Sequence, residues 1–156
     1  MVIYFTWSGN TKVYAEELAK KRGLTAFRLQ ENKERKLGKM TFYRACMQGL
    51  MKKKTAITAI PDLSNCDEIF ICTPVWASGP APAIRTFLNE ADLRNKKVNF
   101  LFTYGGMTEP DVFKKNTADL LLGKGCVIGN MYAYIAKFKQ QPNLETIKRN
   151  INESAK

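Results

Sequence analysis

Ten residues near the N-terminus, Val2-Ile3-Tyr4-Phe5-Thr6-Trp7-Ser8-Gly9-Asn10-Thr11, run from an apolar stretch into a cluster of hydrogen-bond donors. The apolar part suits a buried strand, and a helical pattern begins directly after the turn. That order can build an anion cradle. Gly9 lets the backbone approach an anion closely, while Thr6, Ser8, Asn10 and Thr11 offer side-chain donors. The free amides of a first helical turn point the same way, at the positive end of the helix dipole. The same residues also suit a plain N-capped helix with Ser8 or Asn10 as the cap. No Lys follows the glycine, so this is not a Walker loop, and one glycine is not the three-glycine dinucleotide fingerprint.

Two later stretches carry comparable signals. The first is Thr73-Pro74-Val75-Trp76-Ala77-Ser78-Gly79-Pro80-Ala81-Pro82. An exposed loop indole such as Trp76 presents a flat face for stacking, although it could instead pack on its own helix. Ser78 and Gly79 permit tight turning, and Pro80 and Pro82 stiffen the start of a helix. The second, Thr103-Tyr104-Gly105-Gly106-Met107-Thr108, pairs an aromatic with two glycines, and taken alone it is equally a simple glycine turn.

The chain has no histidine, which removes Ser-His and Cys-His nucleophiles, His bases and the commonest metal sites. We assign no catalytic residue and no metal ligand. Cys46, Cys66, Cys72 and Cys126 form no CxxC pair. Cys72 lies in a strand-like run and Cys46 on a helical apolar stripe, so both suit small buried hydrophobes rather than a disulfide framework.

The elements that position these loops alternate. Strands are expected at 2–6, 25–29, 68–73, 97–103 and 126–135, with Ile69-Phe70-Ile71-Cys72 apolar throughout, as a strand covered on both faces should be. A first helix is expected from Thr11 to Arg22, with Ala15, Leu18 and Ala19 inward. A second at 40–51 would bury Tyr43, Met47, Leu50 and Met51. A third after Pro80 carries the stripe Ile84, Phe87, Leu88 and Ala91. A fourth spans 110–122, and a last follows Pro142 with Leu144, Ile147 and Ile151. Residues 1–156 therefore suit one α/β domain, a three-layer sandwich around a five-stranded parallel sheet in order 2-1-3-4-5. Ligands bind such sheets outside the carboxyl ends of the strands, where all three loops fall.

The pattern aromatic-Thr-x-Ser-Gly-Asn-Thr ending at Thr11 resembles the phosphate loop of the flavodoxin family. Pro74-Val75-Trp76, followed by Pro80-Ala81-Pro82 and Phe87-Leu88, is similar to that family's isoalloxazine loop. The resemblance implies a short-chain flavodoxin-like protein that binds FMN. Thr6, Trp7, Ser8, Gly9, Asn10 and Thr11 would hold the phosphate end, with neutral donors and helix amides balancing its charge. Pro74, Val75, Trp76 and Ala77 would lie along the ring, and Thr103, Tyr104, Gly105 and Gly106 would border its polar edge, with Trp76 and Tyr104 stacking on or edging it. The flavin carries its own redox chemistry, so the lack of histidine is no obstacle.

The formal charge is +11, and residues 1–60 hold 13 Lys/Arg against 4 Asp/Glu. Familiar electron-carrier flavodoxins are acidic, so docking on their basic partners should be poor. Lys20-Lys21-Arg22 and Lys52-Lys53-Lys54 suit helix C-termini. Lys33, Arg35, Lys36 and Lys39 follow the second strand and could attract an acidic redox protein or an anionic small molecule. The expectation is an FMN-binding electron-transfer protein, working with a redox protein or a small-molecule electron acceptor. The alternative is an FMN-dependent NAD(P)H/quinone-type oxidoreductase. A basic nucleic-acid or anionic-surface module has against it the lack of interleaved aromatics and binding motifs. No run reaches the ~20 apolar residues of a membrane span, and the first apolar stretch has no basic leader, so a cytoplasmic location is expected.

Overall fold

A computed structural model describes residues 1–33, 35, 38–137, 140 and 142–154, leaving aside the side chains at 39, 42 and 154. Five strands, β1 (Val2–Tyr4), β2 (Ala26–Arg28), β3 (Glu68–Pro74), β4 (Lys97–Tyr104) and β5 (Val127–Ile135), form one parallel sheet in the order β2-β1-β3-β4-β5. Between and after them lie α1 (Asn10–Arg22), α2 (Lys39–Leu50), α3 (Pro82–Glu90), α4 (Pro110–Asp119) and α5 (Leu144–Ser154). This is the expected order and alternation.

Side chains alternate across the strands and divide the interior in two. Ile3, Phe5, Ile69, Ile71, Phe100 and Phe102 pack on one face with Ala45 of α2, Ile84, Phe87 and Leu88 of α3, and Phe113 of α4. Val2, Tyr4, Phe70, Cys72 and Leu101 pack on the other with Tyr14, Ala15 and Leu18 of α1 and Ile147 and Ile151 of α5. The continuous apolar run of β3 follows directly, since its alternate residues serve opposite cores.

The β4–β5 pairing slips once. Val98 faces Ile128 and Phe100 faces Met131, so Gly129 and Asn130 share the place opposite Asn99. Asn99 is buried and mends this bulge, its Oδ1 accepting the Asn130 N–H at 2.9 Å and its Nδ2 donating to Glu68 Oε1 at 2.9 Å. A Cβ at position 129 would stand 2.3 Å from Asn99 Oδ1, so the bulge requires glycine there.

α2 departs from its expected arrangement. Asn32 N–H donates to Ala56 C=O and Thr58 N–H to Gln30 C=O, each at 3.0 Å. These bonds pin the two ends of an excursion together at the carboxyl end of β2. Tyr43, Met47, Leu50 and Met51, expected inward, are 68%, 54%, 66% and 59% exposed. Among its described side chains, the buried ones are instead the small Ala45 and Gly49. The cause is close approach: a Cβ at Gly49 would lie 2.6 Å from the Trp76 carbonyl oxygen.

Candidate functional site

The carboxyl ends of the strands surround one cavity of about 310 Å³. Trp7, Ser8, Asn10 and Thr11 line it from the first loop, Pro74, Val75, Trp76 and Ala77 from the second, and Thr103, Tyr104, Gly105, Met107 and Thr108 from the third. Ala45 and Cys46 of α2 close one side, and Ala136 and Lys137 close the other after β5. Of the sequence-derived site residues, Thr6, Gly9 and Gly106 stand outside this lining.

Thr6 and Gly9 shape the first loop from behind. Buried Thr6 takes the Gly9 N–H on its Oγ1 at 3.1 Å. Gly9 has φ +94°, a left-handed conformation that glycine adopts at little cost, and it ends the turn where α1 begins. Neither Ser8 nor Asn10 caps the helix, since α1 has no side-chain cap hydrogen bond. Its first-turn amides therefore keep their capacity to meet an anion. Asn10 is buried, and its Nδ2 donates to the Lys137 carbonyl at 2.9 Å. Its Oδ1 is buried with no hydrogen-bond partner among the described residues. An orphaned acceptor in a cavity wall is costly unless a ligand or water donates to it. Thr11 Oγ1 and Thr103 Oγ1 meet at 2.8 Å and tie the first loop to the third.

The second loop is a strained two-residue turn. Val75 bridges Pro80, Trp76 N–H donates to Gly79 C=O at 2.8 Å, and Ala77 and Ser78 both take positive φ, +45° and +70°. Such turns favour glycine or asparagine at both central positions. An alanine and a serine there cost about 1–3 kcal/mol each, a strain that collects at functional loops. Neighbours hold the turn. Asn116 Nδ2 of α4 donates to the Ser78 carbonyl at 2.7 Å, Arg85 Nε to the Pro80 carbonyl at 2.9 Å, and Ala81 N–H to Thr73 Oγ1 at 3.1 Å. A Cβ at Gly79 would fall 2.3 Å from the Arg85 guanidinium, so a side chain there would displace the end of Arg85.

Trp76 is not the exposed stacking surface expected of it. It is 8% exposed, edge-on to Phe5 and Trp7 with centroids 5.9 and 5.5 Å away. Its ring contacts are with Phe5 and Trp7, its backbone meets Gly49 of α2, and it forms a wall of the cavity. The Arg35 guanidinium lies 5.1 Å from its ring centroid.

Arg35 is likewise not an open docking cation. It grips Glu31 through two hydrogen bonds, Nη2 to Oε1 at 2.8 Å and a shorter contact from Nε to Oε2, and its Nη1 reaches Gln48 Oε1 at 2.6 Å. Both side chains of the pair are almost wholly buried. The Arg35 carbonyl also accepts the Trp7 indole N–H at 3.3 Å. Lys33 is exposed, while Lys36 and the side chain of Lys39 lie outside the described residues.

Six contributors were missed from sequence. Lys137 follows the last strand, so the strand-end rule extended to β5 would have found it. Its backbone carbonyl takes the Asn10 Nδ2 bond, which ties the first loop to the end of β5. Ala45 and Gly49, four apart, mark a small helix face made for close contact, and that signal would have turned α2 around. Cys46 belongs to the cavity wall rather than a buried stripe, with its thiol pKa pushed up by burial. Asn116 acts on a turn 38 positions away, and Arg85 on a carbonyl five positions before it, and neither bond left a motif to read. Cys72 is fully buried as expected, and burial raises its pKa strongly.

No protein-family model matches the sequence, and no curated protein does either. Solved structures do match. A provisionally named flavoprotein of Bacteroides uniformis superposes with a TM-score of 0.80 at 22% identity, over 97% of this chain and 96% of its own. A flavoprotein in complex with FMN from Lactobacillus acidophilus gives a TM-score of 0.69 at 24% identity, over 85% and 90%. Oxidised flavodoxin 1 from Bacillus cereus gives 0.58 at 16% identity, over 99% and 92%. At these identities the likeness establishes the fold: the chain has the flavodoxin-like α/β architecture.

Proposed function

We propose that this protein binds FMN at the carboxyl edge of its sheet and works in electron transfer. The observation that carries the proposal is the convergence of three separate loops on one cavity, with an uncapped helix N-terminus and the orphaned Asn10 Oδ1 at one end. The cavity volume lies within the range of small-molecule and cofactor sites, roughly 300–1,000 Å³. FMN joins an anionic phosphate, a polyhydroxyl chain and an apolar ring, and the site offers a counterpart to each. The α1 amides and Ser8 suit the phosphate. Asn10 Oδ1 suits a hydroxyl donor. Pro74, Val75, Trp76 and Tyr104 supply the apolar walls. When bound, FMN supplies the redox chemistry, and the chain orients it and shields it from water. The L. acidophilus neighbour, crystallised with FMN, supports the same assignment.

The test is FMN titration followed by the visible spectrum and by flavin fluorescence. Expected is saturable quenching at micromolar FMN or below, with riboflavin, which lacks the phosphate, binding at least tenfold more weakly. An unchanged spectrum and fluorescence would overturn FMN binding. Equal affinity for riboflavin would remove the phosphate role of the α1 N-terminus.

A second possibility, an FMN-dependent NAD(P)H/quinone-type oxidoreductase, is favoured by the rim of the third loop. Met107, which lines the cavity, is 92% exposed there, which leaves access for a small acceptor. Sustained NADPH oxidation with a soluble quinone identifies the enzyme, and its absence in the FMN-loaded protein identifies the carrier. A cytoplasmic working place fits either role and is part of the proposal.

A further inference from the structure

The outer face of α2 is the least ordinary surface of the molecule. Met40, Tyr43, Met47, Leu50 and Met51 are 75%, 68%, 54%, 66% and 59% exposed. At 3.6 residues per turn they fall within an arc of about 100°, one continuous stripe along the whole helix. Exposed apolar residues scattered singly need no explanation, but a contiguous stripe does. The stripe stands on the excursion that rises from the carboxyl end of β2, while the opposite side of the same helix lines the cavity through Ala45 and Cys46.

Charge identifies what covers it. From position 35 to 61 the sequence has seven Lys/Arg and no Asp or Glu. Arg44 flanks the stripe on the helix, and Lys52, Lys53 and Lys54 continue directly from its C-terminal end, all four exposed. A second copy of the chain would bring two such cationic faces together, which opposes self-association through α2. The described acidic residues that flank this stretch in sequence are Glu31, already paired with Arg35, and Asp62, eight positions beyond Lys54. The stripe is also convex, carried on the crest of a helix, and its side chains are mostly long and flexible. Apolar side chains on a crest, cations beside and beyond them, and no carboxylate from position 35 to 61 are the features of a helix lying in an anionic bilayer interface, where long basic side chains reach the headgroups. Among the described residues no helix is long and apolar enough to cross a membrane, so the contact is one of lying on the surface.

We infer that the outer face of α2 docks this protein on an anionic lipid surface, with Met40, Tyr43, Met47, Leu50 and Met51 entering the interfacial region and Arg44 and Lys52–Lys54 meeting headgroup charge. The docking does not depend on what occupies the cavity. It does place the cavity about one helix diameter from the lipid, roughly 10–12 Å, within reach of lipid-soluble acceptors.

Co-sedimentation of the full chain, with and without FMN, tests this against vesicles of pure phosphatidylcholine and of 70% phosphatidylcholine with 30% phosphatidylglycerol. Expected is binding to the anionic vesicles at low salt, at least tenfold weaker to the neutral ones, and largely lost in 0.5 M NaCl. Two variants separate the contributions, Met47→Glu with Leu50→Glu, and Lys52, Lys53 and Lys54 all changed to Gln. Each should weaken partition tenfold or more while circular dichroism and FMN titration stay unchanged, as expected for exposed positions. Failure to bind anionic vesicles overturns the proposal. So does undiminished binding by the Met47/Leu50 variant, which would place adsorption on another basic cluster such as Lys20–Arg22. A dimer in sedimentation equilibrium that the same variant dissociates would assign the face to a second copy. Salt-sensitive binding to a soluble Glu/Leu amphipathic peptide, without vesicle binding, would assign it to an acidic protein. Either result would overturn the lipid assignment. Vesicle binding without FMN binding would leave this inference standing and remove the flavin proposal.

Discussion

α2 and α3 are successive helices on the same side of the sheet, and the sequence gives both a clear apolar stripe. In α3 the stripe is the packed face, and every residue from Pro82 to Leu88 is buried. In α2 the stripe is the solvent face, and the buried residues among its described side chains are Ala45 and Gly49. Two modes of attachment follow. α3 is held by area, with Ile84, Phe87 and Leu88 removed from water against Ile71, Phe100 and their neighbours. α2 is held by fit and polarity, through Gly49 against the Trp76 backbone and Arg35 joining Gln48 to Glu31 beneath it. Periodicity reports that a helix has two faces. Which face is covered depends on what the neighbouring elements can accept.

The sharpest way to break this comparison is to truncate the packed helix. Phe87→Ala deletes a fully buried ring and should cost about 3–5 kcal/mol in urea unfolding. Next is the polar clamp of α2. Arg35→Ala leaves the buried Glu31 carboxylate unpaired and removes the cation from the Trp76 ring, at an expected cost of about 2–3 kcal/mol. FMN affinity should fall with it, because α2 and Trp76 both line the cavity. If Arg35→Ala were neutral in both measurements, the clamp would not be what seats α2. Gly49→Ala is third. Its Cβ would meet the Trp76 carbonyl at 2.6 Å, so the helix must back away. The expected cost is about 1–2 kcal/mol, as for overpacking at a relieved contact, with at least a threefold loss of FMN affinity. An alanine tolerated without either change would mean that α2 yields freely.

The contrast also explains what could be read from the sequence. The five strands, their order and the three strand-end loops were legible because they rest on local signals: β-branched runs, the helix start after Gly9 and the Pro-rich start of α3. Trp76 was misjudged because burial is not local. A loop tryptophan is exposed or covered according to what lies over it, and here that is α2, brought close by a glycine 27 positions earlier in the chain. Arg35 looked like one of four surface cations, yet the fold supplies Glu31, Gln48 and the Trp76 ring around it. Asn116 bonds to the Ser78 carbonyl from 38 positions away and Arg85 to the Pro80 carbonyl from the first turn of α3, and side-chain bonds to a backbone oxygen leave no pattern in composition or spacing.

The smallest expected effect is the most discriminating. Leu50→Ala and Met47→Ala remove large apolar side chains from the same kind of periodic stripe as Phe87, but from the exposed side. Little area returns to water on unfolding, so each should change stability by less than about 0.5 kcal/mol. The same substitutions should nevertheless weaken partition to anionic vesicles, because the area they lose is the area a bilayer would cover. A cost above about 2 kcal/mol for Leu50→Ala in lipid-free urea unfolding would mean that the stripe is packed in solution. α2 would then be attached as α3 is, and the distinction between the two helices would fall.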